Sequence, residues 1–551
     1  MSQTKTRREK KRQLGQFLTP PACASQLVRD IALARSDTVL EPSMGDGSFI
    51  IPLIEQFLPL YHGTLRQRLD HVLTQNIYGV EIDHTLHARC LANIRARWGY
   101  CPVKHNLARG DFFRYYFTTD TLAPRLNSGS FDRIRSFDYI IGNPPFGGTI
   151  DPRIQDLLDK QLGFRDGNKI KKETYAFFIV KCLDNLKSGG RLLFICSDTF
   201  LTINTMRGLR QLLMSQGAVN IRTLNFFSDE TDHPMVVLDF SRTGYADGVT
   251  IDGRDVDRNT IGLTGNHSWR VTDDVARYFT GPKLGDYVIA TSGMTIGKND
   301  LFVREIVDGK ISEPYSFEFF DDPISVEKEL RRARLGVLSA RKIEQIAQLE
   351  RAGATRRNVR ALPRLLPLEI HLPHPDYVAY NKARRAIAYA EPTHVIYWKD
   401  GGDAVRTFKR NGNWYLHGVG GQKYFGREGL TWQLISQNLN ARYLPSGYIL
   451  DSGAPCAFPR ADVDPDELYF IIGWTFSPLC ERLLKEVVNH TKNIQGKDFE
   501  RLPYPFWVPG ERKQAIIEQV KALVAEAMAG RTITREDRDF SRIGEAFEDR
   551  G

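Results

Sequence analysis

Asn143-Pro144-Pro145-Phe146 is the stretch with the most chemistry per residue in this chain, and it follows the apolar run Tyr139-Ile140-Ile141-Gly142. A short β-branched run of this kind predicts a strand buried on both faces. Two prolines end it, because each fixes φ and removes a backbone donor. Gly147-Gly148 then lets the chain leave at angles that other residues resist. The result is a rigid polar tip at the carboxyl end of a strand, where open α/β sheets bind ligands. An exocyclic amine on a nucleobase is a poor nucleophile, since its lone pair is delocalised into the ring. Two acceptors aimed at its hydrogens, the Asn143 side-chain oxygen and the Pro144 carbonyl, would draw the nitrogen toward tetrahedral geometry and stabilise the developing charge. Phe146 offers a flat face for the base, worth ~1–3 kcal/mol per stacked base. Taken without its neighbours, the stretch also fits a strand ending in an ordinary Pro-Pro turn.

The elements that must position this tip lie upstream. Thr38-Val39-Leu40-Glu41-Pro42-Ser43-Met44-Gly45-Asp46-Gly47-Ser48-Phe49, followed by apolar residues 50–58, reads as strand, glycine turn and helix. A dinucleotide fingerprint wants a third glycine where Ile50 stands. A carboxylate beside the loop, Glu41, suits a positively charged ammonium better than a pyrophosphate. Ile77 to Asp83 predicts a second strand, with Glu81 placed to accept hydrogen bonds from two ribose hydroxyls. After a helix over 86–98, Asp111 and Phe112 could bond an adenine amino group and cover its ring. Each acid alone also fits a solvated strand end; three in successive sheet units predict a ligand site. Ahead of them all, Gly15 to Pro21 leads into a helical pattern over 24–34 with Thr19 as its cap.

Composition sets the outer bounds. At 551 residues the chain predicts two or three domains, and no apolar run is long enough to suggest a membrane span. The basic, polar start, residues 1–13, has no apolar core of a secretory signal. Seven scattered cysteines form no C-x-x-C pair, so neither a disulfide framework nor a metal site is indicated, and a cytoplasmic setting fits. A net charge of +9 is compatible with a polyanionic partner.

In order, these stretches resemble the motifs of class I S-adenosylmethionine-dependent methyltransferases, and more narrowly the gamma class of DNA adenine-N6 methyltransferases of type II restriction–modification systems and their stand-alone relatives. Gly15 to Pro20 matches that family's first cofactor motif, Glu41 to Phe49 its glycine loop, Gly79 to Asp83 its ribose motif and Gly110 to Phe113 its adenine motif. Asn143 to Phe146 matches its catalytic Asn-Pro-Pro-aromatic tetrapeptide. The resemblance implies an α/β fold with a doubly wound sheet, followed by a mixed α+β target-recognition domain and a C-terminal helix. It implies S-adenosylmethionine as cofactor, with Thr19, Glu41, Ser43 and Gly45 at the methionine end, Glu81 at the ribose, and Ile82, Asp111 and Phe112 at the adenine. Phe178 matches the family's aromatic lining the cofactor pocket, although core packing explains it equally. Asn143, Pro144, Pro145 and Phe146 would carry the catalysis. Phe146 and Phe227 would sandwich a target base that must leave the duplex to be reached. The implied partner is double-stranded DNA, with or without a separate cognate endonuclease, read by a monomer in a bacterial or archaeal cytoplasm.

The corresponding partition is a basic tail over 1–14, a catalytic domain over 15–245, a recognition domain over 246–508 and a helical segment over 509–551. Within the recognition part, Thr291 to Asp300 is similar to the stretch that opens such domains, and 489–505 to the one that closes them. Basic runs at 331–334, 356–357 and 382–385 would meet phosphates and bases, although each alone reads as a solvated helix face. Other chemistries fit less well. Cytosine-C5 transfer needs a nucleophilic cysteine, and Pro455-Cys456 lies far from the glycine loop. Cytosine-N4 enzymes more often carry Ser where Asn143 stands. Methylation of RNA adenine or a protein glutamine shares Asn-Pro-Pro-Phe, but those enzymes usually lack a domain of this length. A catalytically inactive DNA-specificity protein is the rival outside enzymes. No Asp…Glu-x-Lys triplet occurs in a strand context, so methylation without cleavage is expected.

Overall fold

The computed structural model describes residues 18–115, 136–146, 152–224, 234–296, 299–313, 366–407, 409–410, 413–414 and 419–548. It separates into two compact units, 1–276 and 277–551.

The first unit begins with α1, Pro21–Arg29, and the apolar stripe of Ala24, Leu27 and Val28 is buried. The helix is shorter than the 24–34 pattern suggested and is capped by Pro20, not Thr19, with no side-chain cap bond. Proline fits there because its fixed φ suits a helix entrance and its missing donor costs nothing. Then come β1, Val39–Glu41; α2, Ile50–Phe57; β2, Ile77–Glu81; α3, His84–Trp98; β3, Leu107–Arg109; and β4, Phe137–Gly142. Next are α4, Thr174–Asp184; β5, Leu186–Ser197; α5, Arg207–Gln216; β6, Ala218–Leu224; and β7, Met235–Ser241. The last two strands are β8, Gly248–Ile251, and β9, Arg254–Asp257.

All nine join one sheet in the order β9-β8-β6-β7-β5-β4-β1-β2-β3. Pairing is parallel from β3 through β5, and β7 runs antiparallel to both β5 and β6. Strand order reverses between β1 and β4, and in open α/β sheets ligands bind outside the carboxyl ends at such a reversal. In register, Val39 and Leu40 pair with Tyr139 and Ile140, which brings the ends carrying Glu41 and Asn143 side by side. Behind them the core packs α1, α2 and α3 through Leu27, Ile54, Phe57 and Ile94.

The unit extends beyond residue 245. Strand β8 pairs with β6, and the buried Arg210 guanidinium on α5 donates to the carbonyls of His267 and Asn266. A structural boundary at 245 would cut through both, so the compact unit ends at Ala276.

The second unit holds two main sheets. Its strands are β10, Val288–Thr291; β11, Val303–Val307; β12, Lys310–Glu313; β13, Leu366–Glu369; and β14, Tyr377–Asn381. They continue with β15, His394–Tyr397; β16, Gly429–Thr431; β17, Arg442–Leu444; β18, Ile449–Leu450; and β19, Cys456–Pro459. One sheet has the order β10-β19-β16-β17 and the other β13-β12-β11-β15-β14-β18. The helices that follow include α6, Glu467–Trp474; α7, Gly510–Met528; and α8, Arg538–Glu545. Ile516, Ile517, Val520, Leu523 and Val524 of α7 are buried. The basic run 382–385 is not a helix face: it leaves β14 as an irregular segment. The runs 331–334 and 356–357 lie outside the described residues.

Candidate active site

Four strand ends build the site. Glu41 closes β1 and is only 2% exposed. Its Oε2 has no hydrogen-bond partner among the described residues. Burial pushes its carboxyl well above the usual range, and the nearby Glu81 and Asp46 add to the rise. A buried carboxylate without a partner is costly, and a cation beside it removes that cost. Glu81, at the end of β2, is differently employed. Its Oε2 accepts from Gly45 N at 2.8 Å and its Oε1 from Asp83 N at 2.7 Å. Burial still raises its pKa, against the opposing pull of those backbone donors. Asp83 caps α3 through Thr85 N and Leu86 N.

The glycine loop is tight for identifiable reasons. Gly45 and Gly47 have φ of +55° and +92°, and a Cβ on Gly47 would lie 2.7 Å from Cys90 Sγ. A Cβ on Gly45 would come within 3.3 Å of Leu18, so the 18–20 segment lies against the loop. Beyond β3, Asp111 Oδ1 accepts from Phe113 N at 2.9 Å. Ile82 is 53% exposed, an apolar surface at the end of β2.

The Asn143 tip is bonded to both neighbours. Asn143 Nδ2 donates to Thr19 Oγ1 at 3.2 Å, and Ser43 Oγ donates to the Asn143 carbonyl at 3.1 Å. Thr19 therefore orients the amide rather than capping α1. Pro144 is buried, while Pro145 and Phe146 are half-buried, and Phe146 packs against the sheet core. A Cβ on Gly142 would stand 3.5 Å from Glu41 Cγ, so β1 and β4 approach closely where their tips meet.

Residues 105–231 match the family model described as Eco57I restriction-modification methylase. This chain carries a restriction–modification methylase domain. Among curated relatives, the type II methyltransferase M.HincII of Haemophilus influenzae is 27% identical over 219 residues, 38% of this chain and 33% of that protein. The type II methyltransferase M.XhoI of Xanthomonas vasicola is 28% identical over 223 residues, 38% of each. The match thus spans about a third of those relatives' own lengths. Solved structures with the same fold include the DrdV–DNA complex, with TM-score 0.56 and 13% identity, covering 94% of this chain and 57% of that one. The type ISP restriction–modification enzyme LlaGI, solved with a DNA substrate mimic, gives TM-score 0.56 and 14% identity, covering 93% and 54%. The fold is the one shared with those two enzymes, and the cofactor of a methylase domain of this kind is S-adenosylmethionine.

The residues present fit that cofactor. An unpartnered buried carboxylate faces the need of an ammonium, a glycine loop allows close approach, and a second acid stands at the end of the neighbouring strand. The methylase domain also contains a residue that sequence reasoning missed. Lys181 on α4 is buried, its Nζ donates to Phe113 O at 2.9 Å, and it lies 5.3 Å from the centre of the Phe112 ring. Burial lowers its pKa to about 7. A single lysine in the apolar run Tyr175 to Leu183 was the available signal. Phe178, one turn earlier, stacks on Phe112 with ring centroids 5.1 Å apart and meets Phe113 edge-on at 4.8 Å. It is thus both core and neighbour of the Asp111–Phe112 turn. Phe227 lies outside the described residues. Cys456 is buried in the second unit, and burial pushes its thiol up to about 11. No described helix is long and apolar enough to cross a membrane.

Proposed function

We propose that this protein methylates the N6 amino group of an adenine flipped out of a specific double-stranded DNA sequence. The observation that carries the reading is the adjacency of the two strand tips: Glu41 with its unpartnered oxygen stands beside the Asn143 tip, which Thr19 and Ser43 tie to the cofactor-side loops. The pocket for a sulfonium donor and the grip for an amine thus share one edge. Ser43 and Gly45 approach the amino-acid end, Glu81 accepts from the ribose, and Asp111, Ile82 and Phe112 take the adenine of the cofactor, with Phe178 behind Phe112.

When bound, S-adenosylmethionine would supply an electrophilic methyl group to the N6 lone pair, with its thioether as the leaving group. The Asn143 side-chain oxygen and the Pro144 carbonyl accept from the two N6 hydrogens, localise the lone pair and stabilise the positive charge on nitrogen. Pro145 stiffens the tip and Phe146 stacks on the base, with Phe227 on its other face. The excess proton leaves N6 for water. Residues 15–245 supply this catalysis, 246–508 read the DNA, and 509–551 pack as helices on that part. The protein acts as a monomer on bacterial or archaeal DNA, with or without a separate endonuclease.

Incubation with labelled S-adenosylmethionine and duplex DNA tests the reading. Label in N6-methyladenine is expected. Label confined to RNA or protein would instead support an RNA adenine or protein glutamine enzyme. Cofactor binding without transfer would point to an inactive specificity protein.

A further inference from the structure

A polar cleft in the second unit has no role in the methyl-transfer site. Its volume is about 320 Å³. Three separate stretches form it: the segment after β14, the loop joining β16 to β17, and the irregular segment before α8. Buried Ile387, Leu439 and Ile533 make an apolar floor, and arginines and amides make the walls.

The walls divide into committed and uncommitted groups. Arg535 donates to Asn440 Oδ1 and to Glu481 Oε2, both at 3.0 Å, so its charge is met within the unit. Arg384 donates to Glu391 O at 3.1 Å. Among the described residues, Arg385, Gln433 and Gln437 carry no hydrogen bond or ion pair. Arg385 and Gln437 are exposed and Gln433 is half-buried.

The backbone bearing these groups is held firmly. Trp432 is fully buried, stacks on Phe499 at 4.5 Å and donates from Nε1 to Ile494 O at 2.9 Å. Leu434 N and Ser436 N donate to Gly453 O and Lys492 O. Across the cleft, the buried Arg442 guanidinium donates to Arg384 O at 2.9 Å and to Lys382 O at 3.3 Å. Long polar side chains on a fixed frame suit recognition, because their supports do not have to be ordered on binding.

We infer that this cleft reads base edges in the major groove of the DNA, with Arg385 directed at guanine and Gln433 and Gln437 at adenine. A guanidinium fork matches guanine O6 and N7, and a carboxamide matches adenine N6 and N7. A carboxamide can also donate to a phosphate, but only a base edge uses its donor and its acceptor together. No lining residue is aromatic, and single-stranded nucleic acid is bound through aromatic stacking platforms. The inference rests on the sequence-specific DNA methylation proposed above.

The full chain and its variants are expressed in a host without adenine methylation, and the genome is sequenced with modification-sensitive reads. Wild type should mark one motif. Arg385→Ala, Gln433→Ala and Gln437→Ala should each relax one motif position, with about 5- to 150-fold lower preference there. Cofactor affinity and thermal melting should stay at wild-type values. Arg385→Lys keeps the charge but not the fork, and should relax the same position as Arg385→Ala without changing the salt dependence of binding. An unchanged motif in all variants, or a uniform loss over all sites with a shallower salt slope for Arg385→Ala, overturns the inference while leaving DNA methylation standing. Absence of any N6-methyladenine with the wild-type protein overturns both.

Discussion

Replacing Glu41 with Gln keeps the side-chain shape and removes its charge, so it separates two consequences of one buried carboxylate. Without cofactor, the folded-state pKa of Glu41 lies above its unfolded value because of burial and the nearby Glu81 and Asp46. The folded chain then binds more protons than the unfolded one across that interval. The stability contribution of Glu41 is therefore complete below the ordinary carboxylate range and is lost as pH rises toward the raised value. One proton limits the slope to ~1.4 kcal/mol per pH unit. Glu41→Gln abolishes this titration, so its melting temperature without cofactor should gain on wild type as pH rises, by ~2–4 °C per kcal/mol for a domain of this size class. Cofactor affinity should move the other way. Losing a hydrogen bond to a charged group costs ~1.5–3 kcal/mol, which is ~10- to 160-fold in Kd. Thermal scans from pH 5 to 9 and calorimetric titration with S-adenosylmethionine measure both. Wild-type affinity in Glu41→Gln at pH 8 would refute the assignment of the ammonium to this carboxylate.

Asn143→Ala should leave cofactor affinity within about twofold, because no cofactor contact is assigned to its side chain, and lower kcat by ~10²–10³-fold, the effect of removing one aligned charge-stabilising group; single-turnover transfer to duplex DNA measures it. Gly79→Ala should fail at an earlier step. Its Cβ would lie 2.6 Å from Met44 Sδ and 3.0 Å from Leu107 Cδ2, and overpacking of this kind costs ~1–3 kcal/mol. Met44 N is bonded to Val80 O, so the displacement reaches the glycine loop. Reduced melting temperature together with weakened cofactor binding is expected.

What could be read in one dimension was whatever rests on short-range pattern. The runs before Glu41, Glu81 and Asn143 are β-branched and apolar, and they are the parallel strands β1, β2 and β4. The Thr19 hydroxyl was legible as polar and local but not in its role. An N-cap and a side chain reaching across to Asn143 have the same sequence signature, and only the approach of residue 19 to residue 143 distinguishes them. Lys181 was hidden for the opposite reason: its partner is a backbone carbonyl, Phe113 O, which no residue type announces. The continuation of the first unit to 276 depends on Arg210 bonding carbonyls more than fifty residues away, and the polar cleft joins three segments spread over 384–535. Both are consequences of chain reversal at long range.

The two acids at the centre of the site divide its work by what already surrounds them. Glu81 receives backbone donors that include Gly45 N and Asp83 N, so its charge is partly satisfied before any ligand arrives. Glu41 faces no donor at Oε2 and stands near two other acids, an arrangement that a proton or a cation relieves. Neighbouring strands are ~4.8 Å apart, so Glu41 to Asp111 crosses two spacings, ~10 Å, while Asn143 lies one spacing, ~5 Å, to the other side. An elongated cation laid along β1, β2 and β3 thus has its charged end next to β4, where the amide tip stands. The strand order, rather than any single residue, determines that donor and acceptor meet.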